Sequence, residues 1–140
     1  MQSEPPALFL SLKPRFAEMI LSGDKTVELR RVRPKLGAST LAIFYATSPA
    51  RVIVGTSRIK GVETSTPANI WRRFGSASGL TREEFDAYFA GTDTAVAIRL
   101  TEPKRLGEEI SLAELRQRWR GFEPPQSFRY LDAARAASVQ

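Results

Sequence analysis

Three charged side chains suited to acid–base or anion-binding chemistry fall within six positions, Lys25, Glu28 and Arg30. Alternate residues of a β-strand share a face, so Glu28 and Arg30 would point the same way, about 7 Å apart along the strand. One interpretation is a structural ion pair that keeps a barrel position soluble. The other is a polar cluster in a cleft, where Lys25 and Arg30 bind a phosphate or a base edge and Glu28 orients them or accepts a proton.

The composition restricts this chemistry. The 140-residue chain has no His and no Cys, which excludes disulfides, thiol nucleophiles, Cys-based metal clusters and Ser-His-Asp triads. Any catalysis would therefore use Lys, Glu, Asp, Tyr, Ser or Thr, or a hard metal such as magnesium held by carboxylates. The sequence does not point to a particular cofactor, and a divalent metal ion such as magnesium is an open alternative.

Positive charge is concentrated in the first 60 residues. They hold ten basic and four acidic residues, so the whole net charge of +6 lies there. A localised excess favours polyanion binding, and the alternative for Arg31, Arg33 and Lys35 is a solvated charge run, the commoner case for such runs. Tyr45, beside the turn at 47–51, is predicted to stack on a base, or else to be a core tyrosine. The residues predicted to bind RNA are Lys25, Arg30, Arg31, Arg33, Tyr45, Arg51, Arg58 and Lys60.

Apolar periodicity predicts the elements that must position these residues. A helix is expected to begin at Pro14 and to end at Gly23, which suits a left-handed cap. A glycine at a break in the apolar phase, Gly55, indicates a bulge. The predicted strands of the first half are 7–12, 25–33, 39–47 and 51–62, the last two joined by a turn at 48–50.

The second half alternates helices and one strand. A capping box at Thr81–Glu84 opens a helix whose aromatic stripe, including Tyr88, is predicted to lie in the core. Ser127 either presents its hydroxyl to the cleft or caps the final turn. The expected order is a helix from Thr66 to Phe74, a flexible connection at 75–79, the capped helix, a strand at 94–100, a helix at 111–119 and an aromatic turn near 128–131.

The predicted organisation is a single domain over 1–140, with frayed tails at 1–6 and 133–140. The fold class is α/β (α+β), a small mixed domain with a strongly curved sheet or barrel. The N-terminus lacks the basic flank and apolar core of a signal peptide, and no run approaches the ~20 apolar residues of a spanning helix. A cytoplasmic protein with no membrane partner is expected.

The segment 12–30 resembles the opening of the ASCH domain, a family of the PUA-like superfamily. Its signature, GxKxxExR, is met by Gly23, Lys25, Glu28 and Arg30. The resemblance covers nearly the whole chain, most firmly residues 8–62, and points to a bacterial single-domain ASCH protein. It implies a PUA-like β-barrel of about five to six mostly antiparallel strands decorated by helices. It also implies a cleft beside the signature strand that holds RNA or a modified nucleoside.

Four functions follow from the resemblance and the charge. The leading prediction is binding of single-stranded RNA or a modified nucleoside through the basic cleft, and the alternative is a ribonuclease acting on single-stranded RNA. Acetylcytidine hydrolysis ranks lower, because Glu28 stands where that branch of the family has a nucleophilic Thr. A protein-interaction module in transcription regulation, with an acidic protein partner, is the last; the oligomeric state stays open. The residues predicted to act in catalysis are Lys25, Glu28, Tyr45, Arg51 and Ser127.

Overall fold

A computed structural model describes residues 7–37 and 39–139. Six strands form one curled half-barrel sheet in the order β2-β5-β4-β3-β1-β6. Only β1 and β3 pair in parallel, and the other pairings are antiparallel. The predicted α/β barrel of five to six mostly antiparallel strands with helices around it is therefore confirmed. The strands are β1 (Ala7–Leu12), β2 (Val27–Arg30), β3 (Leu41–Ala46), β4 (Val52–Ser65), β5 (Ala95–Ser111) and β6 (Phe128–Leu131).

Five helices cover the sheet, each beginning at a position that the sequence marks. Pro14 opens the first helix, and Gly23 ends it with a φ of 88°. Thr81 and Glu84 form the predicted capping box, each side chain bonded to the other residue's backbone N–H. The helices are α1 (Pro14–Ser22), α2 (Pro67–Phe74), α3 (Arg82–Tyr88), α4 (Leu112–Arg118) and α5 (Ala133–Ala137).

Three apolar clusters hold the molecule together. The inner cluster fills the half-barrel and contains Leu10 and Phe44. An outer cluster with Phe9 and Tyr45 lies against α4 and α5. A third, with Phe85, packs α2 and α3 against β2 and β5. Since β1 and β3 have apolar clusters on both faces, every residue of both strands is buried.

The long strand β4 is bent by irregularities in its pairing. One shift in register separates the partners of Ile53 and Gly55, as the mid-strand glycine predicted. A Cβ at Gly55 would lie 2.6 Å from the carbonyl oxygen of Lys104 and 2.6 Å from a methyl carbon of Leu21. Only glycine therefore lets β5 and α1 approach β4 this closely.

Strand β5 continues beyond the predicted end at residue 100 as far as Ser111. Its polar second half, with Pro103 and Gly107, looks like a loop in sequence but pairs with the first half of β4. Pro103 lies where pairing shifts between Thr101 and Lys104, so its missing N–H removes no bond of the ladder.

Three other segments also differ from expectation. The connection at 75–79 contains a 3-10 turn and the fully buried Ser78 rather than a flexible linker. The expected aromatic turn is β6, because β1 offers it an open edge. The expected frayed tail forms α5, capped by Asp132, and Ala136 and Val139 are buried against the outer cluster. Residues 1–6, also expected to fray, lie outside the described residues.

The half-barrel leaves a gap between its edge strands, β2 and β6, which we call the seam. Side chains rather than strand pairing close it: Arg30 reaches Ser127, and the backbone N–H of Lys35 donates to the Tyr130 hydroxyl at 2.7 Å. In the part of the chain that the structure describes, no helix has the length and apolar character to span a membrane.

Candidate functional site

The signature side chains form one buried ionic cluster. Glu28 lies between two cations, with Lys25 Nζ 3.1 Å from its Oε1 and Arg30 Nε 2.7 Å from its Oε2. All three side chains are buried on the barrel side of β2, above Val96 and Ile98 of β5. The ion pair between Glu28 and Arg30, predicted from their spacing, is present.

Arg30 links this cluster across the seam. Its Nη1 donates to Ser127 Oγ at 2.8 Å, and its Nη2 donates to the backbone oxygen of Ser11 at 2.9 Å. With Nε on Glu28, the guanidinium is fixed from three sides. Ser127 is exposed, so Arg30 joins the buried carboxylate to a hydroxyl at the surface.

Lys25 is enclosed within the fold. Its ammonium donates to the backbone oxygen of Ser78 as well as to Glu28, and it lies 5.3 Å from the centre of the Phe16 ring. Only 1% of its side chain is exposed. The nitrogen is thus held by α1 and the 75–79 segment, and its role in this geometry is to compensate the charge of Glu28.

Burial acting alone would raise the pKa of Glu28. The charges of Arg30 and Lys25 and the hydrogen bonds from both outweigh this effect and hold the pKa below its ordinary value. Glu28 is therefore ionised at neutral pH, with both oxygens engaged. It orients Arg30, and it is poorly suited to accept a proton from a substrate.

A second group of polar residues lies at the ends of β1 and β3. Because these strands are parallel, their last residues meet at one edge, where Ser11 lies beside Tyr45. Ser11 also donates its N–H to the oxygen of Ser127 at 3.0 Å, on its other side. The backbones at Tyr45 and Ser127 are thus two strand spacings apart, about 10 Å. We call this edge the rim; its polar residues are Ser11, Tyr45, Arg51, Arg116, Glu123 and Ser127.

Tyr45 belongs to the outer apolar cluster. Only 3% of it is exposed, and its ring stacks on Phe9 at 5.6 Å. The predicted alternative of a core tyrosine thus describes the ring, which is buried in the outer cluster and stacked on Phe9. Burial raises the pKa of its hydroxyl, while the nearby charges of Arg51 and Arg116 act to lower it and that of Glu123 acts to raise it. The phenol stays protonated at neutral pH.

The predicted basic residues do not form one continuous face. Arg51 follows the turn after β3, at the rim, whereas Arg58 pairs with Leu41 at the opposite end of β3 and donates to the oxygen of Ser39. Arg33 donates to Thr64 near the far end of β4. The other exposed cations of the predicted set are Arg31 and Lys35, after β2, and Lys60 on β4.

Several residues of this region were not predicted from the sequence to lie at the site. Arg116 and Glu123, which pair at 3.0 Å, come from α4 and the loop before β6, and nothing in their spacing links them to Tyr45. Tyr88, predicted as core, is 40% exposed, and the charges of Arg30 and Glu28 influence its hydroxyl. An aromatic stripe indicates burial of a helix face but does not show which of its members lies at the boundary of the core.

The residues of the cluster do not fit a magnesium site. Magnesium prefers carboxylate and water oxygens in an octahedral arrangement. Both oxygens of Glu28 are bonded to cations, and Lys25 and Arg30 would repel a metal ion. Over residues 7–37 and 39–139, no three side chains of the types His, Cys, Asp and Glu come together as a ligand set.

Comparison with known proteins places this geometry in context. Residues 7–116 match the family described as "Domain of unknown function (DUF365)". The chain is 34% identical over 122 residues to a Zymomonas mobilis protein named "ASCH domain-containing ribonuclease", covering 87% of this chain and 82% of that protein.

Solved structures support the same relationship. A crystal structure of ASCH from Zymomonas mobilis superposes with a TM-score of 0.91 at 30% identity, covering 96% of this chain and 93% of that one. Two mutants of that protein, one with phenylalanine in place of a tyrosine and one with alanine in place of a serine, give TM-scores of 0.91 and 0.92. With Lys25, Glu28 and Arg30 of the GxKxxExR signature gathered in one buried cluster beside the seam, this chain belongs to the ASCH domain family.

Proposed function

We propose that this ASCH domain binds single-stranded RNA and cleaves it at the rim. The observation that carries the proposal is a protonated Tyr45 hydroxyl near the charges of Arg51 and Arg116, on a strand whose backbone lies two strand spacings, about 10 Å, from that of Ser127, whose hydroxyl Arg30 holds. The printed name of the Zymomonas mobilis relative, a ribonuclease, supports the same substrate.

The cleavage reaction needs three things from the protein. The 2′-oxygen attacks the adjacent phosphorus and loses its proton, the five-coordinate phosphorus carries extra negative charge, and the 5′-oxygen leaves with a proton. The products are a 2′,3′-cyclic phosphate and a free 5′-hydroxyl. A chain without His must supply the acid and the base from other groups.

The rim residues suit these roles. Tyr45, whose pKa is raised by burial, can donate the proton that the leaving 5′-oxygen takes. Arg51 and Arg116, which both influence the Tyr45 hydroxyl, would stabilise the negative charge at phosphorus. Glu123, close enough to influence the Tyr45 hydroxyl, is the carboxylate available to accept the 2′-proton. Ser127 and Arg30 would bind a non-bridging phosphate oxygen from the other side.

The buried cluster has a different role in this proposal. Lys25 and Glu28 were predicted to act directly in catalysis, but their charged groups are engaged with each other, and Glu28 is engaged with Arg30 as well. We infer that they act as positioning residues, since Glu28 fixes Arg30 and Arg30 fixes Ser127. The resemblance implies a cleft beside the signature strand. If that cleft lies at the seam, Arg30 lines its deepest part.

The test is cleavage of a defined single-stranded RNA of about 20 nucleotides with a 5′ label. The wild-type protein should yield fragments ending in a 2′,3′-cyclic phosphate, and a 2′-deoxy substitution at the cleaved position should abolish the cut. Tyr45→Phe removes the proton donor, so the rate should fall about 10² to 10⁴-fold. Ser127→Ala removes one hydrogen bond to the phosphate and should cost about 10² to 10³-fold.

The matched control for Ser127→Ala is Ser76→Ala. Ser76 is exposed on the 3-10 turn at 75–77 and lies outside the rim, so its variant should cleave like the wild type. All proteins are purified in parallel. Equal cleavage by wild type, Tyr45→Phe and Ser127→Ala would identify a contaminating nuclease and refute catalysis at the rim. RNA binding without cleavage would leave this domain a binding module.

A further inference from the structure

Three large apolar side chains are exposed in the described residues, and all three lie at the seam: Val32 at 66%, Tyr88 at 40% and Tyr130 at 41%. Isolated exposed apolar residues are common on protein surfaces and need no explanation. These three come from different elements, namely the loop after β2, helix α3 and strand β6. They are therefore not isolated, because three separate elements expose apolar side chains on one strip of surface.

The hydroxyls of the two tyrosines lie near the same stretch of backbone, residues 31–35, which we call the seam segment. The hydroxyl of Tyr130 accepts a hydrogen bond from the N–H of Lys35 at 2.7 Å. The hydroxyl of Tyr88 lies near the backbone N–H of Arg31, which acts to lower its pKa against the effect of burial. Four residues of extended chain span at most about 14 Å, and a contact of about 3 Å at each end places the two hydroxyls within about 20 Å of each other.

Neighbouring phenylalanines fix the orientation of both rings. Tyr88 meets Phe89 edge to face, with centroids 4.7 Å apart and planes at 82°. Tyr130 meets Phe128 at 6.0 Å and 67°. A ring packed against an aromatic neighbour has less rotational freedom to lose when a planar ligand covers its exposed part, and the Tyr130 ring is also held at its hydroxyl.

The seam segment is strongly cationic. It contributes Arg31, Arg33 and Lys35, all exposed. In the described part of the chain, no carboxylate lies within ion-pairing distance of these three. The sequence has no Asp or Glu between Glu28 and Glu63. Aromatic rings interleaved with cations that lack acidic partners match a single-stranded nucleic acid, with bases on the rings and phosphates on the cations.

The strip is continuous with the proposed cleavage site. Arg31 directly follows Arg30, whose guanidinium holds Ser127, and Ser127 directly precedes β6, which carries Tyr130. An RNA strand whose phosphate lies at the rim would reach the seam within a few nucleotides. We propose that the seam segment with Tyr88 and Tyr130 is a base-stacking platform that binds the nucleotides flanking the scissile phosphate of single-stranded RNA.

This inference rests on the proposed function, and its test separates the two. The probes are a fluorescein-labelled oligouridylate of about 12 nucleotides, with 2′-O-methyl groups to block cleavage, and an abasic backbone of the same length and charge. Tyr88→Leu and Tyr130→Leu remove the rings but keep an apolar side chain. Each should weaken oligouridylate binding about 10-fold or more while changing abasic binding less than about 2-fold, since stacking requires a base.

Charge variants show the complementary pattern. Arg31→Gln and Lys35→Gln should weaken binding of both probes and reduce the slope of log affinity against log salt by about 0.7 each. The matched control is Arg82→Gln, an exposed arginine of α3 that is paired with Asp86. Tyr88→Phe and Tyr130→Phe keep the rings, so they should retain most of the affinity; thermal melting verifies that the leucine variants are folded.

The outcomes are distinct. If the wild type binds and cleaves RNA but both leucine variants bind oligouridylate as tightly as the wild type, the platform is refuted and the proposed function stands. If the leucine variants lose affinity equally for the abasic probe, the rings act by holding the seam segment rather than by stacking, and the platform is again refuted. If the wild type neither binds nor cleaves RNA, both proposals fail.

Discussion

At the scale of single residues, burial and charge give Glu28 and Tyr45 opposite properties. Glu28 is as deeply buried as a core side chain, yet two cations keep it ionised. Tyr45 has cations nearby as well, but burial dominates and its hydroxyl keeps the proton. The first arrangement suits a group that holds others in place, and the second suits a proton donor.

Glu28→Gln should destabilise the fold by about 3–5 kcal/mol, because it leaves Lys25 and Arg30 buried without a compensating charge. The folded-state pKa of Glu28 lies below its unfolded value, so its contribution is present above about pH 4.5 and is lost as pH falls through the folded-state pKa. Urea unfolding at pH 7 and at pH 3 measures both effects. The difference between wild type and variant should be large at pH 7 and smaller at pH 3.

The control for this prediction is Glu114→Gln. Glu114 is paired with Arg118 on the exposed face of α4, where an ion pair contributes about 0.5 kcal/mol or less. An equal loss of stability in the two variants, or a Glu28→Gln difference that does not change with pH, would contradict an ionised and structurally coupled Glu28.

At the scale of elements, the sheet is curved by irregularities that only its longest strands carry. β4 shifts register at three places along β5, and Gly55 lies at one of them. Here the backbone of β5 and the side chain of Leu21 from α1 come close enough to exclude a Cβ. The same contact holds α1 near the barrel and, through α1, helps to enclose Lys25.

Gly55→Ala should therefore destabilise the protein by about 1–3 kcal/mol, since the added methyl group meets a backbone oxygen that cannot move cheaply. Gly61→Ala in the same strand is the matched control, because no atom lies within 4 Å of its added Cβ. Thermal or urea unfolding of the two variants provides the comparison. Equal stabilities would show that the bulge relaxes easily and does not fix the curvature.

At the scale of the whole molecule, the fold divides the basic residues between different regions. Arg51 lies at the rim, while Arg58 pairs with Leu41, which is four residues, or about 13 Å, from Tyr45 along β3. The net charge of +6 attracts polyanions as a whole, but only cations along the bound strand release counterions on binding. The salt dependence of affinity can tell these groups apart.

Arg51→Gln should lower the slope of log affinity against log salt by about 0.7 for single-stranded RNA, and Arg58→Gln should leave the slope near that of the wild type. Both changes remove one charge, so the pair is matched in its effect on the net charge. The measurement is a salt titration of binding to a 2′-O-methyl oligouridylate. Equal reductions in slope would support the continuous basic face predicted from the sequence.

Much of the fold could be predicted from the sequence, because it depends on the physical chemistry of neighbouring residues. Pro14 and Gly23 delimit α1, and the Thr81–Glu84 capping box opens α3, because helix ends are decided by a few neighbouring residues. The period of two over 25–33 also predicted the pairing of Glu28 with Arg30. Where the prediction failed, as in the polar half of β5 and in β6, a partner strand far away in the chain supplies the hydrogen bonds.

The sequence by itself determined the family, the fold class and the chemistry available to a chain without His or Cys. Only the tertiary structure decided that Lys25 and Glu28 are enclosed, that Tyr45 lies beside Arg116 and Glu123, and that Tyr88 and Tyr130 share the seam segment. Side-chain spacing along one strand is fixed by local backbone geometry. Burial and proximity depend on how distant strands and helices close around each other, which no local pattern records.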